Sequence, residues 1–537
     1  MRRRTALFLL FLLPTVVFSL TGCTENPAPK QNAPKYIRYS SGPEPSSLDP
    51  RKSNGIPEIN IENQIFEGLT ALDAAGSVIP AAAERWEVSP DFLTYKFHLR
   101  KSGKWSNGEP VTAHDFEFAW KETLSPDIAS KNAYLLYCLR NGEAYNSKKA
   151  NRDEVGVRAI DDYTLEVRLQ TPLPAFLTLL IQNPFFPVHK KTVTQNPQWA
   201  TDPRTLIGNG PFKMTQWVHN SKIEFIPNEY YWDRSKVKLP KLEFYLVDSS
   251  ATELAMFENH QIDMGDNPPR QDLERLKKEN KVAFYPYFAT YYLYFNTTKA
   301  PFDNPKVRKA LMLGIDRQTI ISEIFKGGET AAMGLVPYGA GDVSPSKDFR
   351  QSAGALFRDN DVATAKKLLA EAGYPDGKGL PPITLLYNTS EQHKAFAEAV
   401  QDMWLKNLGV TVALVNQEWK AYLASLEGGD YQIARGGYVG VYQDASTLLD
   451  LFVTKGGNNY SRYSNPQYDE LIRLARSNTD AKIRIKALHD AERLLIADDA
   501  VVAPIYFYTR PTFVSPEVKG FIRTALGQTY FKEAYVE

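Results

Sequence analysis

An apolar run from Thr5 to Leu20, preceded by Arg2-Arg3-Arg4 and closed by Leu20-Thr21-Gly22-Cys23, sets the strongest limit on what this chain can fold into. A basic start, a short apolar segment and small residues before a cleavage point make a secretory signal. Pro14 and a length below about 17 apolar residues argue against a permanent span. Leu-Thr-Gly-Cys resembles a lipobox, so residues 1–22 are expected to be removed and Cys23 to become an acylated N-terminus. Only two cysteines occur in 537 residues, and the other is Cys138. An exported protein of this size must therefore hold together without a disulfide, by core burial alone. A hydrophobic content of 43% supplies that core, and the length calls for more than one domain.

A net charge of +1 gives no hint of a polyanionic partner, so no nucleic-acid partner is expected. With no second apolar run of membrane length, contact with the membrane is expected through the lipid anchor only. The stretch Asn26 to Lys35 is polar, rich in proline and without period, and so reads as a spacer. Beyond it, Tyr95–Leu99, Leu165–Leu169 and Lys241–Leu246 alternate apolar and polar residues as strands with one buried face. Ala363–Ala372, stopped by Gly373, and Gln392–Leu408, stopped by Gly409, carry helical periodicity. Mixed strands and helices without a repeat indicate an α/β architecture.

Catalytic patterns are absent. There is no His-Glu-x-x-His and no Gly-x-Ser-x-Gly, and the seven histidines show no ligand spacing, so neither a metal site nor a cofactor is expected. Ser344-Pro345-Ser346-Lys347 matches Ser-x-x-Lys. That motif needs a helix to align serine with lysine, and Pro345 in a Gly/Asp/Ser-rich stretch reads as a turn. The chain reads as a binder rather than an enzyme.

Several strings make the reading specific: Ser47-Leu48-Asp49-Pro50, Phe66-Glu67-Gly68-Leu69, Phe97-His98-Leu99-Arg100, Lys104-Trp105-Ser106-Asn107-Gly108, Val111–Phe116, Gly208-Asn209-Gly210-Pro211-Phe212, Leu385–Ser390 and Val415-Asn416-Gln417-Glu418-Trp419. In this order, from about Tyr36 to the C-terminus, the chain resembles the oligopeptide-binding lipoproteins of bacterial ABC importers, the extracellular solute-binding proteins of family 5. The resemblance implies a two-lobed, three-domain shell that closes on a ligand by hinge motion. Domain I would combine residues 36–66, 190–288 and 508–537, domain II would be 67–189, and domain III would be 289–507. It also implies a monomer on the outer side of a bacterial cytoplasmic membrane or in a periplasm, binding a peptide or peptide-like ligand and serving ABC permease subunits.

Within that resemblance, Asn54-Gly55-Ile56 and Gly437-Tyr438-Val439 would pair with the ligand backbone, and Gly436 and Gly437 would admit it closely. Arg435, His393 and Lys326 match positions that meet ligand carboxylates, Arg435 as a two-pronged clamp. Trp419 and Tyr438 would form pocket walls, or serve as core. The chain also departs from the pattern. Val441 stands where the family places the aspartate for the ligand's α-ammonium, and an assisting tyrosine falls on Asn132, with Tyr134 close by. A second arginine of the carboxylate set matches Leu426, and paired cysteines of some members match Ala289 and Val439. An ammonium buried against valine would cost several kcal/mol. Either Asp444, three residues on, or another acid replaces the anchor, or the ligand lacks an α-ammonium, as an N-blocked or cyclic peptide, a cell-wall-derived fragment or a non-peptide ligand would. A secreted enzyme or structural lipoprotein is the remaining alternative.

Overall fold

A computed structural model describes residues 35–53, 55–73, 76–344, 347–478 and 480–537. Cys23, the signal, most of the spacer, Asn54, and Pro345-Ser346 lie outside the described residues. Eleven strands form one sheet: β1 Ile37–Gly42, β2 Phe212–Val218, β3 Lys222–Pro227, β4 Leu242–Leu246, β5 Met264–Gly265, β6 Val282–Phe295, β7 Thr330–Ala331, β8 Ile383–Asn388, β9 Val412–Gln417, β10 Ile433–Val439 and β11 Val502–Val514. They run in the order β9-β8-β10-β6-β11-β5-β1-β4-β3-β2, with β7 beside β11. A separate antiparallel sheet orders Ala83–Val88, Thr94–Leu99, Thr164–Arg168 and Val157–Asp161. The expected α/β class is what the chain adopts, and the three strands read from alternation appear within one residue at each end.

Two large cores lie along the long sheet. One gathers Tyr39, Phe97, Trp105, Trp120, Phe244 and Phe531, and the other Tyr291, Phe295, Leu311, Trp404, Phe452 and Leu488. The two longest strands, β6 and β11, pair with each other and run from one core to the other. Their register breaks between Pro286 and Thr290, where a proline without an N–H cannot continue the ladder. Both helices read from the sequence form. The first spans Val362–Glu371, with the Asp361 carboxylate accepting from Thr364 N, and the second, Glu391–Leu408, ends at Gly409 in the left-handed region (φ 68). The Ser344 carbonyl accepts from Lys347 N at 2.9 Å, which brings the two ends of the Ser-x-x-Lys match together. Among the described residues no helix is long and apolar enough to cross a membrane, and no group of three metal-ligating side chains converges.

Candidate ligand-binding site

The site is built on β10, which has one edge occupied and one largely free. It pairs with β6 along its whole length, from Ile433↔Phe295 to Val439↔Ala289. On the opposite edge β8 reaches only Ile433 and Ala434. Gly440 N donates to Phe288 O at 2.8 Å, and antiparallel alternation then points the N–H and C=O of Gly437 and Val439 away from β6. Tyr422 Oη donates to the Arg435 carbonyl, which confirms that odd-numbered residues face outward. Among the described residues no backbone group pairs with Gly437 or Val439 on that side. The edge can accept an extended chain.

Arg435 stands at the foot of this edge. Its Nε and Nη2 both donate to Asn388 Oδ1, at 2.8 and 2.6 Å, and its Cζ lies 5.6 Å from the Tyr291 ring and 5.7 Å from the Tyr422 ring. Asn388 ends β8 and Tyr291 is central in β6, so the guanidinium is held by the sheet itself. The arrangement leaves Nη1 for an incoming acceptor. Tyr291 is fully buried, and its hydroxyl has no partner among the described residues. His393, in the first turn of α1 (Glu391–Leu408), stands 6.1 Å from the Tyr291 ring. Burial, and then the Arg435 charge, push its pKa down to about 4. It is therefore a neutral hydrogen-bonding group, not a second cation. Lys326, in the left-handed conformation (φ 53), lines a crevice with Lys277, Ser322 and Phe284, one residue after Phe325, whose ring lies 5.6 Å from that of Tyr291.

The two glycines have different reasons. A Cβ on Gly436 would lie 2.4 Å from the Tyr294 ring, so its missing side chain admits the protein's own aromatics. At Gly437 a Cβ would come within 3.3 Å of Tyr508 Oη and Thr290 O, a milder crowding than at Gly436. Trp419 opens α2 (Trp419–Gly428), stacked on Tyr422 with centroids 5.7 Å apart, and is 48% exposed. Tyr134 is 54% and Val439 47% exposed. Large apolar surface left open on three elements marks a binding cleft rather than core. Burial, and then the neighbouring Tyr134 hydroxyl, push the Tyr438 phenol up.

At the far end, Asn132 Nδ2 donates to Ser53 O at 3.0 Å, holding the chain just before Asn54. Gly55 caps the helix Ile56–Ile65 in an extended conformation, and Ile56 begins it. Val441 packs against the core of the other lobe, and its carbonyl accepts from Gln182 Nε2 at 3.2 Å. The expectation for Asp444 meets a different arrangement. Its Oδ1 accepts from Arg484 Nη2 at 2.6 Å, Ser446 Oγ at 2.6 Å and Ser446 N at 3.0 Å. Burial pushes this carboxyl up, but the Arg484 charge outweighs it and holds the group below its ordinary range. Asp444 is an ionised partner of a buried arginine, with its charge already neutralised. Leu426 is buried core, and Ala289 and Val439 are cross-strand partners, the geometry a paired-cysteine position requires. Sequence reasoning missed Asn388, Tyr291, Tyr422, Tyr508 and Arg484. The only signal for Asn388 was its place in the string Leu385–Ser390.

The family described as bacterial extracellular solute-binding proteins, family 5 Middle, matches residues 77–460. The oligopeptide-binding protein OppA of Bacillus subtilis is 38% identical over 550 residues, covering 100% of both chains. Among solved structures, the unliganded open form of the murein tripeptide binding protein MppA superposes with a TM-score of 0.86 at 36% identity, covering 93% of this chain and 97% of the other. Another structure of MppA, from Escherichia coli, gives 0.66 at 35% identity, with 93% and 98% covered. Family 5 proteins bind solutes and are not enzymes, and this chain belongs to the bacterial extracellular solute-binding proteins of family 5.

Proposed function

We propose that this chain captures oligopeptides or peptide-like acids between its two lobes and delivers them to the permease of an ABC importer. The observation that carries the reading is the free edge of β10 with Arg435 at its foot. An extended ligand adds to that edge by backbone hydrogen bonds to Gly437 and Val439, which is blind to side-chain identity. Its terminal carboxylate meets the guanidinium, and Trp419, Tyr134 and Tyr438 wall the cleft. The proposed partition puts domain I at 36–66, 190–288 and 508–537, domain II at 67–189 and domain III at 289–507; the register break in β6 near 288 supports the last border, while domains I and II share one core. Acylation of Cys23 would tether a monomer to the membrane through residues 23–35.

A second reading concerns the other end of the ligand. Val441 offers no charge, and Asp444 is held by Arg484, so the acid nearest in sequence is not available to an α-ammonium. This favours a ligand whose N-terminus is blocked or absent, as in an acylated or cell-wall-derived peptide. Native mass spectrometry of the protein purified from its host, followed by denaturation and identification of the released species, tests both readings. Mixed peptides with free carboxylates support the first, and uniformly N-blocked species support the second. Ligands without any carboxylate overturn the role given to Arg435.

A further inference from the structure

Two arginines meet at the C-terminal hairpin, in an arrangement that the proposed peptide site does not include. Arg523, on the strand Ile522–Arg523 paired with Thr529–Tyr530, has a side chain only 1% exposed. Its Nη1 donates to Asp266 Oδ1 at 2.6 Å and to Thr529 Oγ1 at 3.1 Å. Its Nε and Nη2 are buried and make no hydrogen bond of normal geometry among the described residues, with the Tyr39 hydroxyl as a neighbouring polar group. A buried donor left unmade is costly, and more so on a charged group, so an acceptor belongs at those two N–H groups.

Arg510 approaches the same place from β11. It stands opposite Tyr285 in the ladder, and the Arg523 Cζ lies 5.7 Å from the Tyr285 ring. Its Nη1 makes one long hydrogen bond, 3.4 Å to Gly527 O in the turn of the same hairpin. Gly527 has φ 82, and a Cβ there would sit 2.1 Å from Arg510 Nη1, so only glycine lets the guanidinium in. The charges are unequal. Burial pushes the Asp266 carboxyl up, but Arg523 and then Arg510 hold it below its ordinary range, so one ionised carboxylate serves two cations. Tyr39 donates to Asp266 Oδ2 at 2.5 Å, and burial keeps Tyr39 and Tyr285 as neutral phenols. Glu253, beyond Asp266, accepts from Ser40 Oγ and Asn267 N rather than from either arginine. Burial, with Asp266 nearby, raises its pKa to about 7.

We propose that Arg510 and Arg523 hold a small monovalent anion of the halide class, buried beside Asp266, with Arg523 Nε and Nη2 as its principal donors. A single negative charge balances the excess guanidinium. A larger oxyanion would bring further oxygens against the Asp266 carboxylate. The ion would join the C-terminal hairpin to β11, one of the two strands that pass between the cores, and an ion bound only by the folded state stabilises it by mass action.

The test combines crystals of the intact protein grown with bromide in place of chloride, read by anomalous scattering, with thermal unfolding in sodium bromide, chloride or gluconate at equal ionic strength. The expected result is a bromide peak in contact with Arg523 Nε and Nη2 and a higher Tm in either halide than in gluconate. Arg510→Gln, which leaves the Arg523–Asp266 pair intact, should raise the halide concentration for half-effect at least tenfold. Bromide found only elsewhere on the surface, an adventitious ion only, overturns the proposal. So does a halide effect equal in wild type and Arg510→Gln. Should the variant not fold, the anomalous map of the wild type decides alone.

Discussion

Replacing Arg435 with Gln removes the guanidinium while keeping a side chain that can still reach Asn388. In the wild type, Nε and Nη2 are spent on Asn388 Oδ1, so what faces a ligand is Nη1 and the residual positive charge. A charge-assisted hydrogen bond contributes about 1.5–3 kcal/mol, and each 1.4 kcal/mol is tenfold in affinity, so the loss should lie between about 10- and 150-fold. The assay is calorimetric titration of one tripeptide as free acid and as C-terminal amide, against wild type and Arg435→Gln. Wild type should discriminate acid from amide by that factor, and the variant should bind both about equally, at the affinity wild type shows for the amide. Such a cycle isolates the carboxylate–guanidinium term from any general loosening of the cleft. If wild type binds acid and amide alike, Arg435 does not hold the ligand carboxylate and the orientation proposed for the ligand on β10 fails.

The remaining expectations rest on other contacts. Val439→Pro deletes the outward N–H without touching the bonds of β10 to β6, so peptide affinity should fall by several-fold, about 0.5–1.5 kcal/mol, while urea stability changes little. Gly436→Ala places a Cβ 2.4 Å from the Tyr294 ring and should cost about 1–3 kcal/mol in urea unfolding; an unchanged midpoint would refute the close approach. Because the His393 pKa is depressed to about 4 in the native state, the unfolded chain takes up a proton near pH 6.5 that the native state refuses. His393 should then lower stability progressively as pH falls from about 6.5 to 4, and NMR titration should show its ring neutral at pH 5.5. Val441→Asp should raise affinity for a free-amine tripeptide over its N-acetyl form by about tenfold or more relative to wild type, and no change in that ratio counts against the second reading.

What the sequence could show followed the range of each interaction. Strand alternation and helical period are local, and the elements Thr94–Leu99, Thr164–Arg168, Val362–Glu371 and Glu391–Leu408 were legible for that reason. Arg435 was legible as a cation in a characteristic string. The clamp that aims it was not, because Asn388 lies 47 residues away and comes close only through the parallel β8–β10 pairing. Asp444 shows the opposite failure. Its type and position suited an amine anchor, but Arg484, 40 residues on, takes its charge. His393 looked like a cation until burial beside Arg435 made it neutral. Residue type is visible in a sequence, whereas charge state and availability depend on neighbours brought in by the fold.

Exposed apolar surface and a free strand edge follow from the same dependence on neighbours. Trp419, Tyr134 and Val439 stay exposed because no described residue covers them. The unpaired edge at Gly437 and Val439 likewise has no partner within the described chain. A ligand that adds a strand there and covers the aromatics supplies contacts to both lobes at once, which is the differential affinity a closed state needs to displace the open one. The register break at Pro286–Thr290 gives the crossing strands a place to bend without breaking the ladders on either side. A ligand reaching only β10 would bind without closing the shell. Closure measured by small-angle scattering should therefore require a ligand long enough to touch Tyr134 while its carboxylate remains on Arg435.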